Sequence, residues 1–168
     1  MILAFDTYYD TGGKAKTVCL AFEHWEDAEP FAIHTAFMEN VAEYTPGEFY
    51  KRELPCILDL FKTLPYNSVE AIIVDGFVFL DDEAKPGLGL HLYKTLAEKI
   101  PVIGVAKTNF ASIDQLKKPV LRGESQKPLY VTSIGIDTDT AAQQVQRMAG
   151  DYRFPALLKQ LDQLTKEI

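Results

Sequence analysis

A chain of 168 residues with 47% apolar and 24% charged side chains is long enough to bury about two-thirds of its unfolded surface in one core. It holds no apolar run of bilayer-spanning length, which excludes a membrane role and predicts one domain over residues 1–168. The formal net charge of −7 argues against a broad, non-specific nucleic-acid binder, which carries a basic surface, yet leaves room for a metal-dependent nuclease, whose metal-holding acids are themselves negative charge.

The first apolar residues have no basic flank, long apolar core or cleavage site, so they read as a strand and the protein is expected in the cytoplasm. That strand, residues 1–8, sets Asp6 behind Leu3, Ala4 and Phe5. A charge among such neighbours is costly unless it is paired or bound to a cation, which makes Asp6 a site candidate over a plain exposed position. Asp10-Thr11-Gly12-Gly13-Lys14 predicts a turn into a second strand over 15–23, and a third follows over 31–37. Short turns between them predict an antiparallel meander. Cys19 and Cys56 have neither CxxC spacing nor nearby histidines and are expected to be buried, reduced thiols.

Phe49, Arg52, Glu53, Cys56, Ile57, Leu60 and Phe61 keep a helical period, which puts Glu53 beside the apolar stripe, an odd place for an unpaired carboxylate. Pro55 within that pattern predicts a kink, or a new segment beginning close to Glu53. Tyr44 precedes Thr45-Pro46-Gly47 on the loop into this helix, where an aromatic either packs on the core or stays free.

Ala71-Ile72-Ile73-Val74-Asp75-Gly76 is a β-branched run of strand length. It predicts a buried central strand that ends either in a plain Asp-Gly turn or in a carboxylate delivered to the strand tip. The acids of Asp81-Asp82-Glu83 are either a metal lure or, preferably, a solvated loop and the polar start of a helix over 87–99. Residues 101–107 predict a second buried strand, parallel to the first by the strand–helix–strand spacing. Lys107 then emerges at the same sheet edge as Asp75, either solvated or placed to hold a phosphate or a leaving oxygen. A hairpin is expected over 119–123 and 128–135, with Arg122 and Lys127 as possible cations for a nucleic-acid backbone, followed by helices over 139–148 and 155–167. Asp162 adjoins the apolar face of the last helix, a place more usual for a rim residue than for a ligand.

In that order the elements form a ribonuclease H-like α/β arrangement: a mixed five-stranded sheet, made of an antiparallel meander plus two parallel strands, with flanking helices and an extra hairpin. Tyr44-Thr45-Pro46-Gly47, Arg52-Glu53-Leu54-Pro55, Val74-Asp75-Gly76, Gly87-Leu88-Gly89-Leu90-His91-Leu92, Gly104-Val105-Ala106-Lys107-Thr108, Arg122-Gly123 with Lys127-Pro128-Leu129-Tyr130-Val131, and Tyr152-Arg153-Phe154-Pro155 running to Asp162 resemble endonuclease V in order and spacing. The likeness covers nearly the whole chain. It implies that Asp6, Glu53 and Asp75 hold Mg²⁺, with Mn²⁺ as a substitute, that Asp162 stands near the metal, and that Lys107 is the lysine after Gly-Val-Ala. It also implies that Tyr44, with Pro46 and Gly47, forms a wedge loop parting strands beside a lesion, and that His91 and Arg122 contact substrate. The implied partner is DNA or RNA holding inosine or unpaired bases, cut at the second phosphodiester on the 3′ side by a monomer.

The sequence also departs from the family's pattern. Asp75-Gly76-Phe77-Val78 stands for Asp-Gly-His-Gly, Asp81-Asp82-Glu83 for a His-Pro-Arg loop, Ile136 for a histidine, and Glu43 for a wedge proline, and the chain reads as lacking an N-terminal helical extension. These changes spare the acids and remove hydrogen-bonding groups around the base, so weak preference for hypoxanthine is expected. The alternative is a non-catalytic descendant that binds nucleic acid. Retention of Asp6, Glu53, Asp75 and Lys107 together favours the enzyme, because clustered acids destabilise a fold that has no cation for them.

Overall fold

The computed structural model describes residues 1–167; Ile168, the last residue of the expected domain, lies outside them. The strands are β1 (Ile2–Tyr9), β2 (Ala15–Phe22), β3 (Ala32–Met38), β4 (Ala71–Asp75), β5 (Val102–Ala106), β6 (Lys118–Val120) and β7 (Leu129–Ile134). The helices are α1 (Tyr50–Phe61), α2 (Leu88–Thr95), α3 (Thr138–Arg147) and α4 (Ala156–Lys166).

The expected meander forms, with β2 antiparallel to both β1 and β3. β4 lies parallel to β1 on one side and to β5 on the other. The sheet is larger than the five strands expected, because the hairpin is a continuation of it: β7 pairs antiparallel with β5, and β6 closes the edge in the order β3-β2-β1-β4-β5-β7-β6. The reason lies in β5, a wholly buried strand whose outer N–H and C=O groups need partners.

Period two sorts the side chains of these strands between two faces. Ile2, Ala4, Ile73, Ile103 and Val105 pack under α3 and α4. Leu3, Phe5, Ile72, Val74 and Val102 pack under α1 and α2. Continued past the core, the same alternation sends Asp6, Asp75 and Lys107 out on the α4 side and Tyr9 on the α1 side. Because β1, β4 and β5 are parallel, their carboxyl ends finish side by side, where open α/β sheets bind ligands.

Two helices differ from expectation. α1 runs unbroken through Pro55 and starts no new segment at Glu53. Pro55 is on its exposed side, while Cys56, Ile57 and Leu60 keep the stripe in the core. α2 stops at Thr95, because Leu96 turns extended and Leu96 and Ile100 bury on the way to β5. Both cysteines are free and buried as expected.

Where the chain leaves β4 it crosses β5, and Gly104 leaves it the room. A Cβ there would lie 2.5 Å from the Gly76 carbonyl oxygen and 2.8 Å from the Thr132 hydroxyl. That hydroxyl accepts the Val78 N–H at 2.8 Å, fixing the backbone just after Asp75. Gly104→Ala is therefore expected to cost about 2 to 3 kcal/mol in denaturant unfolding; a wild-type midpoint would contradict the close approach.

Candidate active site

Asp6 follows the last apolar residue of the buried half of β1 and is itself half-buried, with the Thr7 N–H donating to its Oδ1 at 2.9 Å. Asp75 ends β4 one position past the Phe5–Val74 pairing and reaches water at the rim. Glu53 comes from the opposite face, in the first turn of α1, and is 8% exposed. None of the three takes part in an ion pair among the described residues. Asp6, Asp75, Lys107 and Asp162 line one cleft, whose walls include Phe154 and Leu161.

The electrostatics ties the acids together. Loss of hydration, then Asp75, raises the Asp6 carboxyl to about 7, with the Thr7 N–H opposing. Burial, then Asp75 and Asp6, holds Glu53 well above the ordinary glutamate range, and Arg52 opposes. Asp75 is raised by incomplete hydration against the pull of Lys107. Three carboxylates thus share one field. Lys107 is exposed, forms no ion pair among the described residues, and rests its Nζ 4.2 Å over the Phe154 ring. Asp162 is a rim acid whose carboxylate takes Lys166 at 3.0 Å.

Three oxygen donors that repel one another are the hard ligand set that Mg²⁺ accepts, so the residues fit such an ion by chemistry. Among the described residues no three His, Cys, Asp or Glu side chains are gathered to metal-holding distance. A cation would have to draw these carboxylates together.

The remaining candidates fall in different places. The Glu48 N–H closes on the Thr45 carbonyl at 2.9 Å, making a turn with Pro46 and Gly47 at its centre, and Gly47 has the positive φ of +79° that a type II turn requires. Tyr44 beside it is 59% exposed, so it stays free of the core. A groove next to this loop is lined by Phe49, Phe77, Leu80 and Phe110 with Thr108 and Asn109. His91 lies outside the acid cleft, stacked on Tyr50 with ring centroids 3.7 Å apart.

Arg122 is corrected outright as a substrate cation. It is 5% exposed, and its guanidinium donates to the carbonyls of Met148 at 2.5 Å, Tyr152 at 2.7 Å and Gly150 at 3.2 Å. Its role is to pin the segment that carries Phe154 to the side of Lys107. The acidic trio is neither a metal lure nor a helix start. Asp82 accepts the N–H groups of Asp114 and Gln115 at 2.8 Å, and Asp81 caps its own turn through Glu83 and Lys85. Two residues of the site escaped the sequence. Phe154 was legible only as part of the Tyr152-Arg153-Phe154-Pro155 motif, with no role attached to it, whereas Arg52, stacked over Tyr9, is a cation adjoining an acid on an apolar stripe, a pattern that does mark it.

The endonuclease V family model matches residues 1–163. The chain belongs to the endonuclease V family. Among solved structures, endonuclease V from Streptomyces avermitilis is 25% identical, with a TM-score of 0.77 over 98% of this chain and 79% of that one. Ciona intestinalis endonuclease V, in complex with a 24mer DNA containing an inosine followed by a ribo-adenosine, is 18% identical with a TM-score of 0.82, over 98% and 84% of the two chains. Human ENDOV is 21% identical with a TM-score of 0.72, over 98% and 82%. No curated protein sequence matches. The mixed sheet with flanking helices is thus the fold of endonuclease V.

Carboxyls raised by folding bind protons more tightly in the native state. Their contribution to stability is full below the unfolded carboxylate range near pH 4 and is lost as pH rises through the folded value of about 7 for Asp6. In chelator, the protein is expected to lose stability between pH 5 and 8, and Asp6→Asn to recover about 1 to 2 kcal/mol at pH 8. Flat stability across that range would contradict the shared field. Arg122→Met, by orphaning carbonyls, is expected to lower unfolding stability by about 3 kcal/mol, checked by chemical denaturation.

Proposed function

We propose that this member of the family is a Mg²⁺-dependent endonuclease, with Mn²⁺ as a substitute. It cleaves a phosphodiester bond near a deaminated, inosine-type base or an unpaired base in DNA or RNA. The observation that supports this most is the cleft that Asp6 and Asp75, from two parallel strands, share with Lys107, which forms no ion pair among the described residues, with Glu53 of α1 near enough to be raised by both acids. Nucleic acid as the partner is supported by the inosine-containing DNA bound to the Ciona relative.

In this proposal Asp6, Glu53 and Asp75 hold the cation. A bound Mg²⁺ supplies neutralisation of phosphate charge and a more acidic water. Lys107, kept extended on the Phe154 ring, takes a phosphate oxygen or the leaving oxygen. Asp162 shares its charge with Lys166 and shapes the rim.

Tyr44, exposed ahead of α1, stacks on an unpaired base for about 1 to 3 kcal/mol without reading its identity. The groove of Phe49, Phe77, Leu80 and Phe110 receives the displaced base. Reading hypoxanthine needs hydrogen bonds to the base edge. The groove offers few: the Asn109 side-chain carbonyl is already engaged by Lys117 Nζ at 2.5 Å, which leaves the Asn109 amide N–H groups and the Thr108 hydroxyl. Preference for inosine is therefore weak. A second reading, a nucleic-acid-binding protein without cleavage, is favoured by the absence of a metal-distance cluster among the described residues.

The experiment is cleavage of inosine-containing and undamaged DNA and RNA, single- and double-stranded, with Mg²⁺ or Mn²⁺. Cleavage should require the metal, fall at least about a hundredfold in Asp75→Asn with the fold intact, and fall about tenfold in Tyr44→Ala. Inosine should be favoured by less than about a hundredfold over matched controls. Cleavage that survives Asp75→Asn overturns the enzyme proposed here. Binding without cleavage in the wild type establishes the second reading.

A further inference from the structure

Arg52 precedes Glu53 on α1, and neighbours in a helix do not face one another. The Arg52 guanidinium forms no ion pair among the described residues, and its Nε is buried without a partner. Its Cζ sits 3.6 Å over the centre of the Tyr9 ring. The Tyr9 hydroxyl is likewise buried and unpartnered, so the ring contributes a flat surface and no hydrogen bond.

Stacking limits the rotamers of a guanidinium while leaving its N–H donors unused. Such a group is oriented in advance for a planar or tetrahedral anion, which it grips with two parallel bonds. Its place in the fold says which anion. Tyr9 continues the face of β1 that packs under α1, so Arg52 flanks the acids on the α1 side. Lys107, over Phe154, flanks them on the α4 side. Two cations, each parked on an aromatic ring and neither in an ion pair among the described residues, flank the three acids.

We propose that Arg52 is a second phosphodiester-binding cation, whose guanidinium grips the non-bridging oxygens of a phosphate next to the one held at the acids. This rests on the nuclease proposal above and adds to it a binding residue on the α1 flank. The contact is with backbone phosphate, so it serves damaged and undamaged strands alike.

The test is the binding of a fluorescent, undamaged single-stranded oligonucleotide to the full chain in EDTA, titrated across salt. Arg52→Gln should weaken binding about fivefold to tenfold and flatten the slope of log K against log salt by about 0.7, the share of one phosphate on a single strand. Arg52→Lys should keep most of the slope and lose part of the affinity, since the charge stays and the fork does not. Arg52→Gln with the wild-type slope overturns the inference and leaves Arg52 a packing residue for Tyr9. Should Arg52→Gln fail to fold, Arg52→Lys and Tyr9→Leu, which removes the ring and keeps the cation, decide instead. Weaker binding in both supports the contact, and unchanged binding in either overturns it. A wild type that binds no oligonucleotide at any salt overturns the nuclease proposal as well, whereas bound wild type with an unchanged Arg52→Gln slope overturns only this one.

Discussion

Mutual repulsion among Asp6, Glu53 and Asp75 is the constraint around which the rest of the molecule is arranged. Each carboxyl loses hydration to apolar surroundings, and Asp6 and Glu53 are raised further by their acidic neighbours. Charges in such a place cost stability in the absence of a cation. The fold carries that cost because each acid is backed by buried structure: Asp6 follows the buried half of β1, Asp75 ends the buried β4, and α1, which carries Glu53, is held by Cys56, Ile57 and Leu60. A strong core, placed directly behind the site, tolerates a locally unfavourable one.

Positioning is supplied by groups that touch no substrate. Gly104 lets the backbone after Asp75 lie across β5, and Thr132 ties Val78 there. Arg122 spends its guanidinium on the carbonyls of the 148–152 stretch, which carries Phe154 to Lys107. Asp82 does the same work in the opposite sense, accepting backbone N–H groups and pinning the loop that brings Phe110 within 5.9 Å of Phe77. Charged residues that resemble ligands in sequence are thus structural where backbone groups need partners.

The acids and the groove near them are built by different parts of the fold. Asp75 and Lys107 stand at the ends of the parallel strands β4 and β5, Asp6 lies on β1 beside them, and Glu53 comes from α1. The groove next to the Tyr44 loop is lined mostly by aromatic and apolar side chains, Phe49, Phe77, Leu80 and Phe110. Loops on a rigid scaffold change more freely than the strand ends they surround.

By itself the sequence determined the meander, the two parallel strands, and the places of Asp6, Glu53 and Asp75 on strand, helix and strand. Those follow from local rules: a β-branched run is a buried strand, period two decides the face, and an acid on an apolar stripe needs a reason. Family motifs in register added the roles of Tyr44 and Lys107 as expectations. Only the tertiary structure decided the rest. Whether a hairpin hangs off a sheet or extends it depends on an unpaired edge far back in the chain, seen in the pairing of Val102 with Ile134. Arg122 was legible as a cation but not as a buried one, since the carbonyls that claim it come from residues 148–152. Phe154 and the Arg52–Tyr9 stack belong to the site through contacts between α4 or α1 and distant strands. No local pattern encodes such contacts, because a side chain's partners are set by how whole elements pack.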